Sequence, residues 1–334
     1  MDPRVARLLK IPQTIQKSEA WLKQRSGFIT ASSASNLLIR DKKTCGKYVE
    51  LFGLEDTFAF NGKCCNPYSS KNQYFLDKCR GSTFKGNIAT YHGQKYEQVV
   101  VDIYSVLYKT PVLEFGLIPH PEISWLAASP DGITPEGVMI EIKCPYRRKI
   151  NGVVPLQYYI QVQLQMEATN LEVCDFLEYE FTEFTSEEEW LDEETLGSNW
   201  LNRGLFIQVE KLNDLEIFNP EDNEYIYPEK ELIDDVDALL GWTRYQLTEL
   251  PKAMKEEFLD KLKITVVYWK VPLNSIIRIE RDQEWFANVK PVFEKEWAKV
   301  GYYRKGENWK QLVKEKAKDI DGSVLHVDTT ECIL

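Results

Sequence analysis

Long apolar runs are missing from this chain, and so are the usual sulfur and imidazole patterns of structural metal sites. The longest apolar stretches among its 334 residues, such as residues 99–101 and 264–267, fall far short of the roughly 20 residues that a membrane-spanning helix needs. The first sixteen residues have no continuous apolar segment of the kind a secretory signal requires, so a soluble, intracellular protein is expected. Only three histidines occur, His92, His120 and His326, and no two cysteines form a Cys-x-x-Cys pair, which argues against structural zinc. The seven cysteines are an odd number and are read as reduced thiols. An iron–sulfur cluster is also disfavoured, because only Cys174 and Cys332 lie beyond the segment around Cys144.

The net charge is −11, but it is unevenly spread. Residues 1–180 hold 21 Lys and Arg against 19 Asp and Glu, and the remainder holds 20 against 33. The acid therefore lies in the second half, and a local basic track along phosphates remains available in the first.

The 43% apolar and 12% aromatic content is that of a folded chain with a sizeable core. Residues 18–38 read as a helix, a break at Gly27 and a second helix. Residues 60–86 read as a loop with a short helix, and residues 89–108 carry apolar side chains at helical spacing. From Val112 the period shortens. Runs at 112–118, 125–129 and 138–144, separated by Pro, Gly and Asp, predict strands in a meander. A helix over 155–169, strands at 173–183, 264–271 and 276–281, and a helix over 282–300 complete the pattern. The expectation is one α/β domain over residues 1–310, with its core at 18–184 and 264–305, an inserted acidic region at about 185–262 and a charged tail at 311–334.

The chemical signal is Ser129-Pro-Asp131-Gly followed, ten residues after the aspartate, by Glu141-Ile142-Lys143-Cys-Pro. Alternation along a strand sends Glu141 and Lys143 to one side and Ile142 to the other. The Pro-Asp-Gly turn makes the connection a hairpin that returns Glu141 beside Asp131. Two carboxylates and a lysine in one place suit metal-assisted phosphodiester hydrolysis. The carboxylates hold a hard cation, and the lysine orients water and offsets charge. Taken alone, Glu-x-Lys also occurs on ordinary solvated strands.

These motifs resemble the lambda-exonuclease and YqaJ-type viral recombinase group of PD-(D/E)xK nucleases. Trp21-Leu-Lys-Gln-Arg25-Ser-Gly-Phe-Ile-Thr30-Ala-Ser32, Gly93-Gln-Lys-Tyr-Glu97 and Gln161-Val-Gln163 are similar to further family segments in the same order. The resemblance spans about residues 18–184, with a weaker echo over 275–300.

It implies a restriction-endonuclease-like core, a central mixed sheet flanked by helices, and one or two Mg²⁺ ions, with Mn²⁺ as a substitute. It implies that Asp131, Glu141 and the Ile142 carbonyl bind metal, with Glu97 on the metal's outer side and Lys143 positioning the attacking water. Arg25, Ser32, Ser129 and Gln161 match positions around the scissile or terminal phosphate, and Gln163 is either a substrate contact or a solvent-facing residue. Arg147, in the run Arg147-Arg-Lys, reads as a DNA-backbone contact or as a solvated loop residue. Tyr158, Tyr159, Tyr268 and Trp269 are read as core. The implied activity is 5′→3′ digestion of double-stranded DNA ends in recombination or repair, beside a single-strand annealing partner and with no membrane role. The phage relative forms a trimer, which the acidic region could obstruct here. The alternatives are an endonuclease, a nuclease that also cuts RNA, and a non-catalytic DNA-binding module.

Overall fold

The segment from Asp131 to Glu141 folds into a tight antiparallel hairpin, and the other elements are arranged around it. The computed structural model describes residues 1–16, 18–81, 86–192, 200–212, 217–253 and 261–313. In chain order the helices and strands are α1 (Pro3–Leu8), α2 (Glu19–Ser26), β1 (Ile29–Thr30), α3 (Ala31–Ala34), α4 (Lys42–Leu51), α5 (Lys71–Arg80), α6 (Ile88–Tyr108), β2 (Ile118–Pro119), β3 (Leu126–Ala128), β4 (Gly132–Ile133), β5 (Val138–Lys143), α7 (Leu156–Thr169), β6 (Val173–Glu183), α8 (Glu187–Leu191), β7 (Arg203–Lys211), β8 (Glu224–Ile226), α9 (Val236–Ala253), β9 (Leu262–Glu280) and α10 (Gln283–Arg304).

The main sheet is mixed, with the order β4-β5-β6-β9-β7-β8; β5 and β6 run parallel and their other neighbours antiparallel. A smaller sheet, β1-β3-β2, lies beside it. In the hairpin Gly132 pairs with Ile140 and Ile133 with Met139. Glycine is required at 132, because a Cβ there would lie 2.2 Å from the Val112 side chain. Gly137 turns the chain at φ +90°, a region that side-chain-bearing residues rarely enter.

The two faces of β5 and β6 pack against different helices. Ile140, Ile142, Leu177 and Tyr179 join Tyr96, Val99, Val100 and Ile103 of α6 in one apolar cluster. On the other face, Met139, Cys174 and Phe176 pack with α7 and with residues of α4 and α10. Helix α7 is buried along most of its length and ends at Asn170 in a left-handed conformation, φ 58°. Helix α6 begins at Asn87, whose side chain accepts from the Thr90 N–H, and ends at left-handed Lys109. These two helices hold the sheet between them, the mixed sheet flanked by helices that the resemblance implied.

Four expectations change. The region expected as an insertion supplies strands of the core sheet: β7 and β8 extend it, and β7 pairs along its length with β9. The two strands expected at 264–271 and 276–281 are one strand of 19 residues. The run at 112–118 forms only the Leu113–Ile133 bridge and β2, because β4 itself is only two residues long. The 311–334 tail also starts too early, since Leu312 is buried in the core; residues 314–334 lie outside the described residues. No helix among the described residues is long and apolar enough to cross a membrane.

Candidate active site

Glu141 lies on the α7 face of β5 and has no exposed surface. A carboxylate with no water around it must find its donors in the protein. Gln161 Nε2 donates to Oε1 at 2.6 Å, Gln165 Nε2 donates to Oε2 at 2.7 Å, and the Lys143 ammonium also donates to Oε1. Gln161 and Gln165 are one helical turn apart and therefore face the same side of α7.

Asp131, at the mouth of the hairpin, accepts from the backbone N–H of Ile142 at 2.7 Å. A strand residue's N–H and C=O point to the same side, so the Ile142 carbonyl also opens toward Asp131. Burial, then the charges of Glu141 and Glu97, raise the Asp131 carboxyl well above the usual carboxylate range; Lys143 and the Ile142 N–H oppose this. For Lys143 burial works against the charge, but Glu141 and Asp131 outweigh it and the ammonium is stabilised. Glu97 and Asp131 line the same cleft, of about 650 Å³, between α6 and the 13–16 and 111–116 segments.

Among the described residues no three His, Cys, Asp or Glu side chains close into a metal cage. Asp131, Glu141 and the Ile142 carbonyl form a sparser oxygen set. It suits a hard cation such as Mg²⁺, which keeps waters and takes a substrate phosphate as further ligands. Burial and the neighbouring charges of Glu141 and Glu97 disfavour the Asp131 carboxylate, and a bound cation would offset both.

The N-terminal segment joins the site through Ser129. Trp21 Nε1 donates to Ser129 Oγ at 3.2 Å, and the Arg25 guanidinium lies 4.1 Å from the Trp21 ring centroid. Arg25 in turn donates to Ser32 Oγ at 3.0 Å, and burial lowers its guanidinium to about 10. The Ser129 carbonyl accepts from Gln165 at 3.3 Å, so this residue ties the Arg25–Ser32 corner to the Glu141 environment.

Two residues singled out from the sequence lie elsewhere. Gln163 points away from Glu141; it donates to the Glu280 carbonyl and accepts from the Asp282 N–H, both at 2.8 Å, and so fixes the start of α10. Arg147 is exposed beside Tyr146, whereas its neighbour Arg148 turns inward to the buried Glu178. Gln165 was not read from the sequence, although its position four residues after Gln161 was a usable signal. Of the four aromatics, Tyr159 and Trp269 are core; Tyr158 lies with its ring centroid 4.9 Å from Lys143 Nζ, and half-buried Tyr268 donates its hydroxyl to Glu187 at 2.9 Å.

Residues 58–172 match the YqaJ-like viral recombinase domain. The chain is 28% identical over 354 aligned positions to an uncharacterized protein of Acanthamoeba polyphaga mimivirus, covering 95% of this chain and 59% of that relative. It thus spans well under two thirds of the curated relative's length. Among solved structures it is similar to an alkaline exonuclease from Laribacter hongkongensis, with TM-score 0.42, 18% identity and coverage of 90% of this chain and 99% of that one. It is also similar to a phage-related exonuclease from Haemophilus somnus, with TM-score 0.39, 14% identity and coverage of 86% and 96%.

Proposed function

We propose that this chain, with its YqaJ-like viral recombinase domain, hydrolyses phosphodiester bonds of double-stranded DNA as a Mg²⁺-dependent 5′→3′ exonuclease acting on DNA ends in recombination. The observation that supports this best is the buried Glu141 carboxylate, held by Gln161, Gln165 and Lys143 and set across the hairpin from Asp131.

Asp131, Glu141 and the Ile142 carbonyl would hold one or two Mg²⁺ ions, with Mn²⁺ as a substitute and Glu97 on the outer side. The ion supplies Lewis-acid polarisation of the phosphoryl oxygen. Gln161 and Gln165 fix the Glu141 carboxylate in one orientation, which removes reorganisation from the reaction. Lys143 orients the attacking water and offsets negative charge as it builds on the phosphate. Arg25, with a planar fork that grips two phosphate oxygens, and Ser32 beside it would take the terminal phosphate. The partners that go with this reading are DNA ends, a single-strand annealing protein and other copies of the chain.

The test is digestion of linear duplexes carrying a 5′-phosphate or a 5′-hydroxyl, and of a covalently closed circle, with Mg²⁺ or with EDTA. Release of mononucleotides from the 5′-phosphorylated strand, lost in EDTA and in Lys143→Ala, is expected. Cutting of the closed circle would transfer the reading to an endonuclease, and tight binding without turnover would reduce it to a DNA-binding module.

A further inference from the structure

Glu178 is a second wholly buried carboxylate on the α7 face of the sheet, two positions along β6 from Phe176. It pairs in register with Lys143 across the parallel β5–β6 ladder, so the two side chains leave the sheet on the same face. Its Oε1 accepts from Arg148, while its Oε2 is buried with no hydrogen-bond partner. The Tyr158 ring lies beside both cations, 4.9 Å from Lys143 Nζ and 5.9 Å from Arg148 Cζ, which places them in one compartment. A buried carboxylate oxygen without a donor is costly, and each such atom in a folded protein calls for an explanation.

Lys143 supplies one. A carboxylate offers about four acceptor positions, and Gln161, Gln165 and Lys143 already occupy three of those on Glu141. A dication arriving at the fourth would stand a few ångströms from the ammonium, and like charges that close repel strongly in a dry site. Lys143 then needs another counter-charge within reach of a rotamer change. Glu178 is the carboxylate in register on the neighbouring strand, on the same face, with an oxygen that lacks a donor.

We propose that Glu178 is the second seat of Lys143: the ammonium rests on Glu141 when the site is metal-free and moves to Glu178 Oε2 when a cation occupies Glu141. Arg148 holds the other oxygen of Glu178 and keeps the seat oriented. Glu178 is thus a positioning residue, acting on the reaction through Lys143. The inference rests on the reading of Glu141 as a metal ligand.

The test is calorimetric titration of the full chain with Ca²⁺ and with Mn²⁺ in the absence of DNA, as a double-mutant cycle of Glu178→Gln and Lys143→Met. Glu178→Gln keeps an acceptor for Arg148 but weakens the seat for an ammonium. It should lower metal affinity roughly tenfold in the wild-type background and leave it unchanged in the Lys143→Met background. Equal losses in both backgrounds, or no loss in either, would overturn the proposal. Absence of cation binding by the wild-type chain would instead remove the metal-site reading, and this inference with it. A crystal structure of the wild-type chain with Ca²⁺ bound gives a measurement independent of variant folding. Lys143 Nζ within hydrogen-bond distance of Glu178 Oε2 is expected, and Lys143 still on Glu141 or turned to solvent would overturn the proposal.

Discussion

Asp131 and Ile142 are joined by a 2.7 Å hydrogen bond from the Ile142 backbone N–H to the Asp131 carboxylate. That bond places the acidic turn against the strand just where β4 has ended and the edge of β5 is open. One carboxylate oxygen is thereby fixed, and the group lies within electrostatic reach of Glu141 and Glu97.

Replacing Asp131 by asparagine keeps an acceptor for Ile142 and removes one of three mutually repelling charges. In chelator-treated protein the variant should be more stable than wild type at neutral pH, by on the order of 1 kcal/mol, or a few degrees of melting temperature. Nuclease activity should fall by roughly three orders of magnitude or more. Thermal melts and a duplex-degradation assay on the same preparation test both; a less stable variant would contradict the repulsion described here.

Gln165→Ala strips one donor from a carboxylate that no water reaches. Loss of about 10- to 100-fold in metal affinity or turnover is expected, with the Michaelis constant for DNA little changed. Gln163→Ala, two residues away on the same helix, should leave turnover intact and lower stability by about 1 kcal/mol through its lost hydrogen bonds to the Glu280 carbonyl and the Asp282 N–H. Steady-state kinetics and denaturant melts on the pair separate the two roles, and equal kinetic losses would refute the division.

Arg25→Lys retains the charge but loses the planar fork. The preference for 5′-phosphorylated over 5′-hydroxyl ends should fall about tenfold or more, with internal turnover less affected. End-labelled duplexes of both kinds, compared in one assay, measure it. An unchanged preference would separate this arginine from the terminal phosphate.

Lys78 donates to the Arg25 carbonyl at 2.8 Å, and Arg304 donates to the Ser26 and Lys78 carbonyls, so two cations close the C-terminal end of α2. Burial, with Arg25 and Arg304 nearby, lowers the Lys78 amine from its ordinary 10.5 to about 7. Between those values the unfolded chain binds more protons than the folded one, so Lys78 adds stability as pH rises from about 7 toward 10.5. Urea unfolding at pH 7 and pH 9 should show a larger gain in wild type than in Lys78→Met. Identical pH slopes would rule this linkage out.

The hairpin was legible from residues because its determinants are local. A Pro-Asp-Gly turn, a strand's alternation and a ten-residue spacing suffice to put Asp131, Glu141 and Lys143 together. Gln163 and Gln165 were not separable in the same way, since α7 is buried almost all round and periodicity gives no polar face by which to orient it. Residues 185–262 misled for a different reason. They read as an inserted acidic region, but the strand that β7 pairs with lies more than fifty residues further on, and pairings that distant leave no local signature. Arg148 rather than Arg147 turns inward because its acceptor, Glu178, lies on another strand thirty residues away.

Strand β9 runs between β6 and β7 for 19 residues and is hydrogen-bonded on both sides. The hairpin with Asp131 and Glu141 is synthesised long before it, yet β6 and β7 have no common partner until residue 280 has left the ribosome. Until then both strands present bare edges to any other chain in the cell, and the nascent protein is at its most adhesive before β9 emerges.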